Sequence, residues 1–494
     1  MRNKIIGEII KTEIRSQFLN SRFMMAIILT SVCMIASIFF LSREYDNYLD
    51  NYRSQVSLQD NFLDRYAHVN RLGGLFRVLK QPADLFVLSG DPLGSQDSSG
   101  RSGSESLRTM RIGFDSDPSA GFFVPITFIF ITSVIFSLIA VLFAHDGITG
   151  ERENGRLKII MANSMSRSVE LSGKFLGGII GLLVPYLFAL LIGLILIQVF
   201  GQVRWSASDW GAVVLLVVSS AVYLSIFHAL GLWLSAACSR SETSVLFSLL
   251  FWVMLVLVIP NLTPFLAARL VEVPSATAVQ RQVRRMGDSE RDDIGRTFYH
   301  RAQGALRSEY GQAYDGMKQM NREQIARRIK TDPSFAQMYK ADTDSMNRAW
   351  GRANEIQNEK IKDIMDEFAG KSRRQSDLAY NLALISPYTA YLYGSLDLSA
   401  VGFDAEEHFQ RAGGEYMKRF WEFTGVRYKE AMAADPTFDS NSFLDLSGRP
   451  RFVYRELSLA DRLSAVLPLL GILAAFLILF LTAAYVAFIR YDVR

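Results

Sequence analysis

Six apolar stretches, each about as long as a membrane-crossing helix, constrain the fold of this 494-residue chain more than any other feature. They lie at approximately 23–41, 122–144, 175–199, 211–237, 245–267 and 463–489. An α-helix rises about 1.5 Å per residue, so about twenty residues cross the ~30 Å hydrocarbon core of a bilayer. A backbone exposed to lipid must satisfy its own hydrogen bonds, which favours helices. The sequence therefore predicts an all-α integral membrane protein with six transmembrane helices.

Composition excludes several classes of protein. Hydrophobic residues make up 50% of the chain, and the formal net charge of +4 is small for this length, so no nucleic-acid partner is indicated. Cys33 and Cys238 both fall in or beside spans, which predicts exterior segments without disulfides. The five histidines are scattered, so no metal site is expected. Phosphate-binding loop, zinc-protease and nucleophile-elbow motifs are absent from the sequence, and we expect no catalysis by this chain.

Basic residues in the short loops predict the orientation in the membrane. They are concentrated before the first span and between the second and third spans, whereas the loop between the third and fourth carries only Arg204. Short basic loops remain in the cytoplasm, so both termini, including the tail 490–494, and the loop 145–174 are predicted to be cytoplasmic. The two long insertions, 42–121 and 268–462, are then extracytoplasmic.

The first 22 residues have an amphipathic pattern. Apolar residues recur at helical spacing, and charged residues lie off that stripe, which is typical of a helix in the membrane interface. The stripe consists of Ile5, Ile6, Ile9, Ile10, Ile14 and Phe18. We expect a cytoplasmic interfacial helix over 1–22, and the alternative is a cytoplasmic extension of the first span.

The two exterior insertions differ in composition. The first contains a Gly- and Ser-rich stretch at 89–100, which predicts a mobile loop. The second is long enough to form a domain, and its apolar residues recur at three- and four-residue steps between charged residues. We predict a mainly α-helical extracytoplasmic domain over 268–462, with an extracytoplasmic protein as a candidate partner.

The polar loop between the second and third spans carries the clearest functional signal. Glu151, Arg152 and Glu153 place charges of both signs on a short surface helix, which can dock and align a protein partner without a large apolar contact. The alternative is a solvated loop that Arg152, Arg156 and Lys158 hold at the lipid head groups. The charges alone leave both interpretations open.

This loop resembles the first cytoplasmic loop of ABC-2-type transporter permeases. The resemblance is carried by Asp146, Ile148, Glu151, Arg152, Glu153, Gly155, Leu157 and Lys158, followed by Ser166-Arg167 and Gly173-Lys174. The N-terminal interfacial helix, the six spans and the cytoplasmic termini also match that family's layout. The large insertion between the fifth and sixth spans resembles one subgroup of these permeases.

The resemblance implies the partners and the site residues. The loop would contain a coupling helix that docks on a separate ABC ATPase subunit, and ATP and Mg²⁺ would bind that ATPase, with no cofactor on this chain. A second permease copy, or a homologous permease, would complete a dimer in the bacterial cytoplasmic (inner) membrane. The expected docking residues are Asp146, Glu151, Arg152, Glu153, Leu157, Lys158 and Arg167.

The expected function is that of a permease, an exporter, that couples ATP hydrolysis by its partner to movement of a substrate. One alternative keeps the ATPase but makes the output mechanical, through the extracytoplasmic domain to an envelope partner. A membrane-anchored receptor or sensor is another, but the cytoplasmic segments are all short. An ion channel or secondary transporter would favour ionisable residues deep in the spans or an inverted repeat, and neither is evident in the sequence.

Polar and small residues within the spans are further candidate sites. The fourth span is the most polar, and its Ser219, Tyr223 and His228 either face a transport pathway or make interhelical hydrogen bonds. In the third span, Gly177 and Gly181 permit close approach of another helix, which suggests a subunit interface.

Overall fold

The computed structural model describes residues 2–66, 68, 72, 78–90, 126–157, 159, 166–287, 289–434 and 442–490. Regular structure in these ranges is helical, and the extended pairing found there is an isolated antiparallel bridge between His68 and Phe443. Within these ranges, six helices are long and apolar enough to cross a membrane. The predicted all-α membrane fold is confirmed.

The helices follow one another through both insertions and all six spans. From the N-terminus they are α1 (Arg2–Leu19), α2 (Ser21–Tyr66), α3 (Phe86–Ser89), α4 (128–144), α5 (Thr149–Glu153), α6 (Arg167–Phe200), α7 (Ala207–Ala237) and α8 (Ser241–Leu270). They continue as α9 (Ala276–Gly287), α10 (Ser289–Tyr310), α11 (Gln312–Lys318), α12 (Arg322–Thr331), α13 (Pro333–Ala383), α14 (Pro387–Leu398), α15 (Phe403–Ala434) and α16 (Leu459–Arg490). The spans, in order, are α2, α4, α6, α7, α8 and α16.

The helix that contains the first span is longer than the predicted span. The predicted span ends at residue 41, and α2 continues beyond it to Tyr66. Glycine and proline, which interrupt helices, do not occur over 21–66, so the sequence contains no stop after the apolar part. Tyr45 is buried beyond that part, and its hydroxyl donates to Oδ1 of Asp84 at 2.7 Å. The part of α2 that follows residue 41 therefore also packs against other residues of the chain.

Two spans contain a π-helical turn. It covers Ile131–Phe136 in α4 and Met254–Val258 in α8. A π-turn adds one residue to a helix, and the changed backbone geometry leaves carbonyls that can accept other donors. In α4 the carbonyl of Ser133 accepts from the hydroxyl of Tyr223 on α7 at 2.7 Å.

Helix α14 packs against the spans α7 and α16. Ser386 is its N-cap, Pro387 occupies its first turn, and the Ser386 hydroxyl also donates to the carbonyl of Leu255 in the π-turn of α8. The Tyr391 ring stacks on Tyr223 of α7 with ring centroids 4.4 Å apart. Helix α14 is thus part of the packed bundle.

Helix α14 ends in a Schellman motif. The Val401 N–H donates to the carbonyl of Leu396, and the Ala400 N–H to the carbonyl of Asp397, both at 3.1 Å. Ala400 occupies the left-handed position (φ +56°) that such motifs usually give to glycine. The turn then folds Gly402 onto Asp397, and a Cβ at Gly402 would lie 1.9 Å from Asp397 Oδ1.

The chain divides into two compact units. One comprises residues 1–263 and 380–494, and the other comprises residues 264–379. The segment 268–462, predicted as one exterior domain, is therefore divided at residue 380. The smaller unit has its own apolar core, formed by Leu306, Tyr314, Met317, Phe335 and Met338. Beside that core, Asp342 accepts hydrogen bonds from Tyr299, Tyr314 and Lys318.

In the larger unit, parts of both insertions share one core. It contains Leu63, Leu72, Val78, Phe409, Tyr416, Phe420, Leu444 and Leu446. Lys80 from the first insertion lies 3.0 Å from the carboxylate of Glu406 in the second. Of the stretch predicted to be a mobile loop, residues 91–100 lie outside the described residues.

A buried arginine fixes the start of the sixth span. Arg462 Nη2 lies 2.6 Å from Oε2 of Glu456, and Nη1 lies 3.8 Å from Oδ1 of Asp209 at the start of α7. The guanidinium also donates to the carbonyl of Leu398 at the end of α14, at 3.3 Å. Burial raises the pKa of Glu456, and the charge of Arg462 opposes that shift. Arg462 thereby connects α7, α14 and α16.

Candidate functional site in the loop between the second and third spans

The short helix α5 is held where α4 ends, between α7 and α8. The backbone N–H groups of Ile148 and Thr149 donate to the hydroxyl of Ser235 on α7, at 2.9 and 3.1 Å. The hydroxyl of Ser244 on α8 donates to the carbonyl of His145 at 2.7 Å. Ile148 and Thr149 are buried. The start of α5 therefore has fixed partners on two neighbouring spans.

Arg152 and Glu153 extend these contacts to the connection between α7 and α8. Arg152 donates to the carbonyls of Cys238, at 2.6 Å, and Ala236, at 3.4 Å. The carboxylate of Glu153 accepts from the backbone N–H of Ser241 at 2.8 Å and from its hydroxyl at 2.9 Å. Arg152 places a positive charge at the C-terminal end of α7, and Glu153 places a negative charge at the N-terminal end of α8. Both charges complement the helix dipoles.

Leu157 and Arg167 connect the loop and α6 to the end of the sixth span. Leu157 is buried in an apolar cluster with Ile148 and with Phe488 of α16. Arg167, the first residue of α6, donates to the carbonyls of Phe488 and Ile489. Phe488 and Ile489 lie in the last described turn of α16, so Arg167 joins that turn to the start of α6.

A buried lysine joins α5 to α6 and α1. Lys174 Nζ lies 2.7 Å from Oε1 of Glu151, 3.7 Å from Oε2 of Glu13 and 3.7 Å from Oε1 of Glu170. The Lys174 side chain is 5% exposed, and those of Glu13, Glu151 and Glu170 are 21%, 20% and 4% exposed. We call these four residues the Lys174 cluster. It holds one cation against three carboxyl groups from three different helices.

The glycines of the third span seat the helix α1. A Cβ on Gly173 would lie 2.6 Å from Ile9, and one on Gly177 would lie 2.7 Å from the Cβ of Glu13. A Cβ on Gly181 would lie 2.0 Å from the amide oxygen of Gln17. This glycine face is therefore occupied within the chain, which contradicts the expectation that it forms a subunit interface.

The residues expected to dock an ATPase divide into two groups. Asp146 is exposed, as are the neighbouring Asn154 and Arg156, and Glu153 is exposed while its carboxylate also accepts from Ser241. Glu151, Arg152, Leu157 and Arg167 make the contacts within the chain described above. Lys158 lies outside the described residues. Docking by any of them stays a prediction.

The polar residues of the fourth span bond to neighbouring backbone. Ser219 donates to the carbonyl of Leu215 in its own helix at 2.8 Å, and Tyr223 donates to Ser133 of α4. Nδ1 of His228 lies 3.4 Å from the carbonyl of Ala140, also in α4. All three side chains are buried. For Tyr223 and His228 this geometry favours interhelical hydrogen bonding over the lining of a pathway.

Sequence reasoning did not single out Lys174 or its partners Glu13 and Glu170 as site residues. A signal was present, because Glu170 and Lys174 are four residues apart and begin an otherwise apolar span. A charge pair there must have partners when the helix packs. The sequence gives no sign that Glu13, which is far away in the chain, would be a partner of Lys174.

Six spans among the described residues, with a short polar loop bonded to several of them at one end, define a multi-pass α-helical membrane protein. The family model described as ABC-2 family transporter protein matches residues 9–493, nearly the whole chain, and the chain belongs to this family. Permeases of this family work in general with ABC ATPase partners. Among curated proteins, none matches the chain.

Proposed function

We propose that this chain is the permease subunit of an ABC exporter in the bacterial cytoplasmic membrane, and that a separate ATPase acts on α5. Membership of the ABC-2 family supports the permease assignment. The observation that carries the mechanism is the set of contacts between the loop and the spans. The loop bonds to α6, α7 and α8 and packs on α16, so its displacement reaches four of the six spans.

In the proposed cycle ATP and Mg²⁺ bind to the ATPase, and this chain binds neither. Two permeases, identical or homologous, pair in the membrane, and each carries one ATPase on its cytoplasmic face. Closure of the ATPases displaces the two loops, and the spans change from an inward-open to an outward-open packing. The two packings must have similar free energies, because the ATPase can shift their populations only by the difference in its affinity for them.

The exposed residues of the loop are the proposed ATPase contact. Asp146, Asn154 and Arg156 are exposed, whereas Glu153, although exposed, and the residues that face inward hold the loop against the spans. Charges of both signs on this surface suit a polar docking contact that aligns a partner. Variants for testing docking therefore belong at Asp146 and Arg156. Glu151 and Arg152 are unsuitable, because their loss disturbs the spans as well.

The test is affinity purification of the permease in mild detergent from its native membrane, with mass spectrometry of the captured proteins. We expect wild type to retain an ABC ATPase, and the Asp146→Arg, Arg156→Glu variant to lose it. The matched control is Arg490→Glu, an exposed charge at the end of α16 near Arg167. The control variant is expected to retain the ATPase.

Two outcomes contradict the proposal. If well-folded wild type retains no ABC ATPase, the permease assignment fails. If the doubly substituted variant retains as much ATPase as the control, the loop is not the docking element. The rate of ATP hydrolysis by the captured complex, compared with that of the ATPase alone, shows whether contact with the permease changes ATPase activity.

A second candidate function is mechanical transmission to an envelope partner. The compact unit formed by residues 264–379, with its own core, favours it, because a packed unit can transmit displacement. Photo-crosslinking from the exposed position Arg327 in cells tests this function. An envelope protein that crosslinks only while the ATPase is active supports it, and crosslinking that does not depend on ATPase activity contradicts it.

A further inference from the structure

The Lys174 cluster contains more negative than positive charge. Its formal charge is −2 if all three carboxyl groups are ionised, and its lysine is almost completely buried. Removing charges from water is costly, and like charges near one another add to the cost. Burial accordingly raises the pKa of Glu13, while the charge of Lys174 opposes that shift. The cluster is stable only while the lysine stays close to its carboxyl groups.

Three different helices meet at the cluster. Glu151 lies on the loop helix α5, Glu13 on α1, and Glu170 with Lys174 on the third span. The shortest contact is that between Lys174 and Glu151, at 2.7 Å. If α5 moved without the others, Glu151 would leave its cation and Lys174 would keep two partners at 3.7 Å. Separation is therefore opposed electrostatically in a setting with little solvent screening.

We propose that Lys174 is a positioning residue that makes α1 and the third span follow the displacement of the loop helix α5. The proposal rests on the proposed function, since it assumes that an ATPase displaces the loop. It extends that function by making α1 a moving part of the coupling apparatus. The close seating of Ile9 and Glu13 on Gly173 and Gly177 supports this role, because α1 and the third span then move as one packed pair.

The test uses the intact complex of permease and ATPase reconstituted in nanodiscs. Lys174→Met keeps a similar side-chain volume without the charge, and Lys174→Arg keeps the charge. We expect Lys174→Met to bind the ATPase as wild type does, but to lose permease-dependent ATP hydrolysis by about 5- to 150-fold, the range typical of coupling between sites. Lys174→Arg is expected to restore most of the activity.

A matched control is available in the same unit. Lys80 is also a buried lysine in an ion pair, with Glu406 at 3.0 Å, and it lies in the first insertion, away from the loop. Lys80→Met loses a comparable ion pair, so it shows how much the loss of a buried ion pair alone lowers stability and ATP hydrolysis. We expect Lys80→Met to leave permease-dependent ATP hydrolysis unchanged.

A distance measurement distinguishes transmission from a purely structural role. Spin labels at the exposed positions Lys11 on α1 and Ile159 in the loop, outside the proposed ATPase contact and with Cys33 and Cys238 replaced, report the separation of the two elements. In wild type we expect the same separation with and without trapped ATP, because the two elements move together. In Lys174→Met the separation is expected to change when ATP is trapped.

Glu151→Gln is a milder variant for the case that Lys174→Met does not fold. The Glu151 side chain is partly exposed and lies 2.7 Å from Lys174, so this substitution weakens the link between Lys174 and α5 and leaves Glu13 and Glu170 beside the lysine. We expect the separation of the labels to become ATP-dependent in this variant too. Separations that stay constant in Lys174→Met or, if that variant does not fold, in Glu151→Gln overturn the inference.

The remaining outcomes separate this inference from the function on which it rests. Undiminished coupling in Lys174→Met, with the ATPase bound, overturns the role of Lys174 and leaves the permease assignment intact. Loss of ATPase binding in Lys174→Met also overturns it, because Lys174 would then shape the docking surface. Absence of an ATPase from the wild-type complex contradicts the proposed function itself.

Discussion

The carboxyl group of Asp397 makes the stability of the larger unit depend on pH, and one substitution will remove that dependence. The side chain is enclosed by the turn that follows α14, and no described residue donates a hydrogen bond to its Oδ1. Burial raises the pKa of Asp397 from 3.8 to about 7, and the charge of Asp404 contributes in the same direction. The folded protein therefore favours the protonated, uncharged carboxyl.

The size of the effect follows from the two pKa values of Asp397. In the unfolded chain the carboxyl has its ordinary pKa, so folding binds the proton more tightly. The resulting stabilisation is fully present below about pH 4 and is lost as the pH rises to about 7. Each pH unit in this interval costs about 1.4 kcal/mol, which gives about 4 kcal/mol in total and about 3 kcal/mol between pH 5 and pH 8.

Asp397→Asn replaces the carboxyl by an amide of nearly the same shape that does not titrate. The assay is the unfolding free energy of wild type and variant, measured by chemical denaturation in one detergent at pH 5, 6, 7 and 8. Between pH 5 and pH 8 the variant is expected to gain about 3 kcal/mol relative to wild type, because only wild type loses stability through this group.

Asp404→Asn is the matched control for this measurement. Its side chain is exposed, and its charge is the smaller of the two causes of the raised pKa of Asp397, so most of the pH dependence will remain. If the difference between wild type and Asp397→Asn stays constant from pH 5 to pH 8, the carboxyl ionises normally in the folded protein, and the argument from burial is wrong.

Two further predictions concern packing within the spans, and thermal unfolding tests both. Gly178→Ala will destabilise the protein by about 1–3 kcal/mol, because the new Cβ would lie 2.2 Å from Nε2 of His228. Gly471→Ala is its control and will be neutral or slightly stabilising, because no described side chain lies within 4 Å of that Cβ. Equal stabilities of Gly178→Ala and Gly471→Ala would contradict the close packing of Gly178 against His228. Tyr223→Phe removes one of the two donors to the carbonyl of Ser133, which keeps the hydroxyl of Ser137, and will cost about 0.5–1.5 kcal/mol; an unchanged melting temperature would show that the Tyr223 hydroxyl does not stabilise the fold.

The membrane fold could be predicted because it depends on local composition. About twenty consecutive apolar residues require a helix wherever they occur in a bilayer. The continuation of α2 to Tyr66 could also have been predicted, since 21–66 contains no helix-breaking residue. The position of α14 could not, because it depends on tertiary contacts such as the stacking of Tyr391 on Tyr223.

The candidate site was predictable only in part, for the same reason. Glu151, Arg152 and Glu153 are close together in the sequence, and their mixed charges marked the loop. Their actual partners include Cys238 and Lys174, which the fold alone brings near. Short-range patterns therefore identify a polar loop, whereas the fold decides which of its charges face a partner and which hold the loop in place.

The π-turn in α4 has a consequence for aligning and redesigning this span. An α-helix rotates about 100° per residue. The extra residue of the π-turn therefore shifts the side-chain directions after Phe136 by about that angle from those that an uninterrupted α-helix beginning before Ile131 would give them. Phe130 and Ser137, seven positions apart, then point roughly 120° away from each other. A helical wheel drawn through the whole span mixes two different faces. Deleting one residue within the turn would make the span a single α-helix and leave both faces in place, because Phe130 and Ser137 would then be six positions apart and still point roughly 120° away from each other.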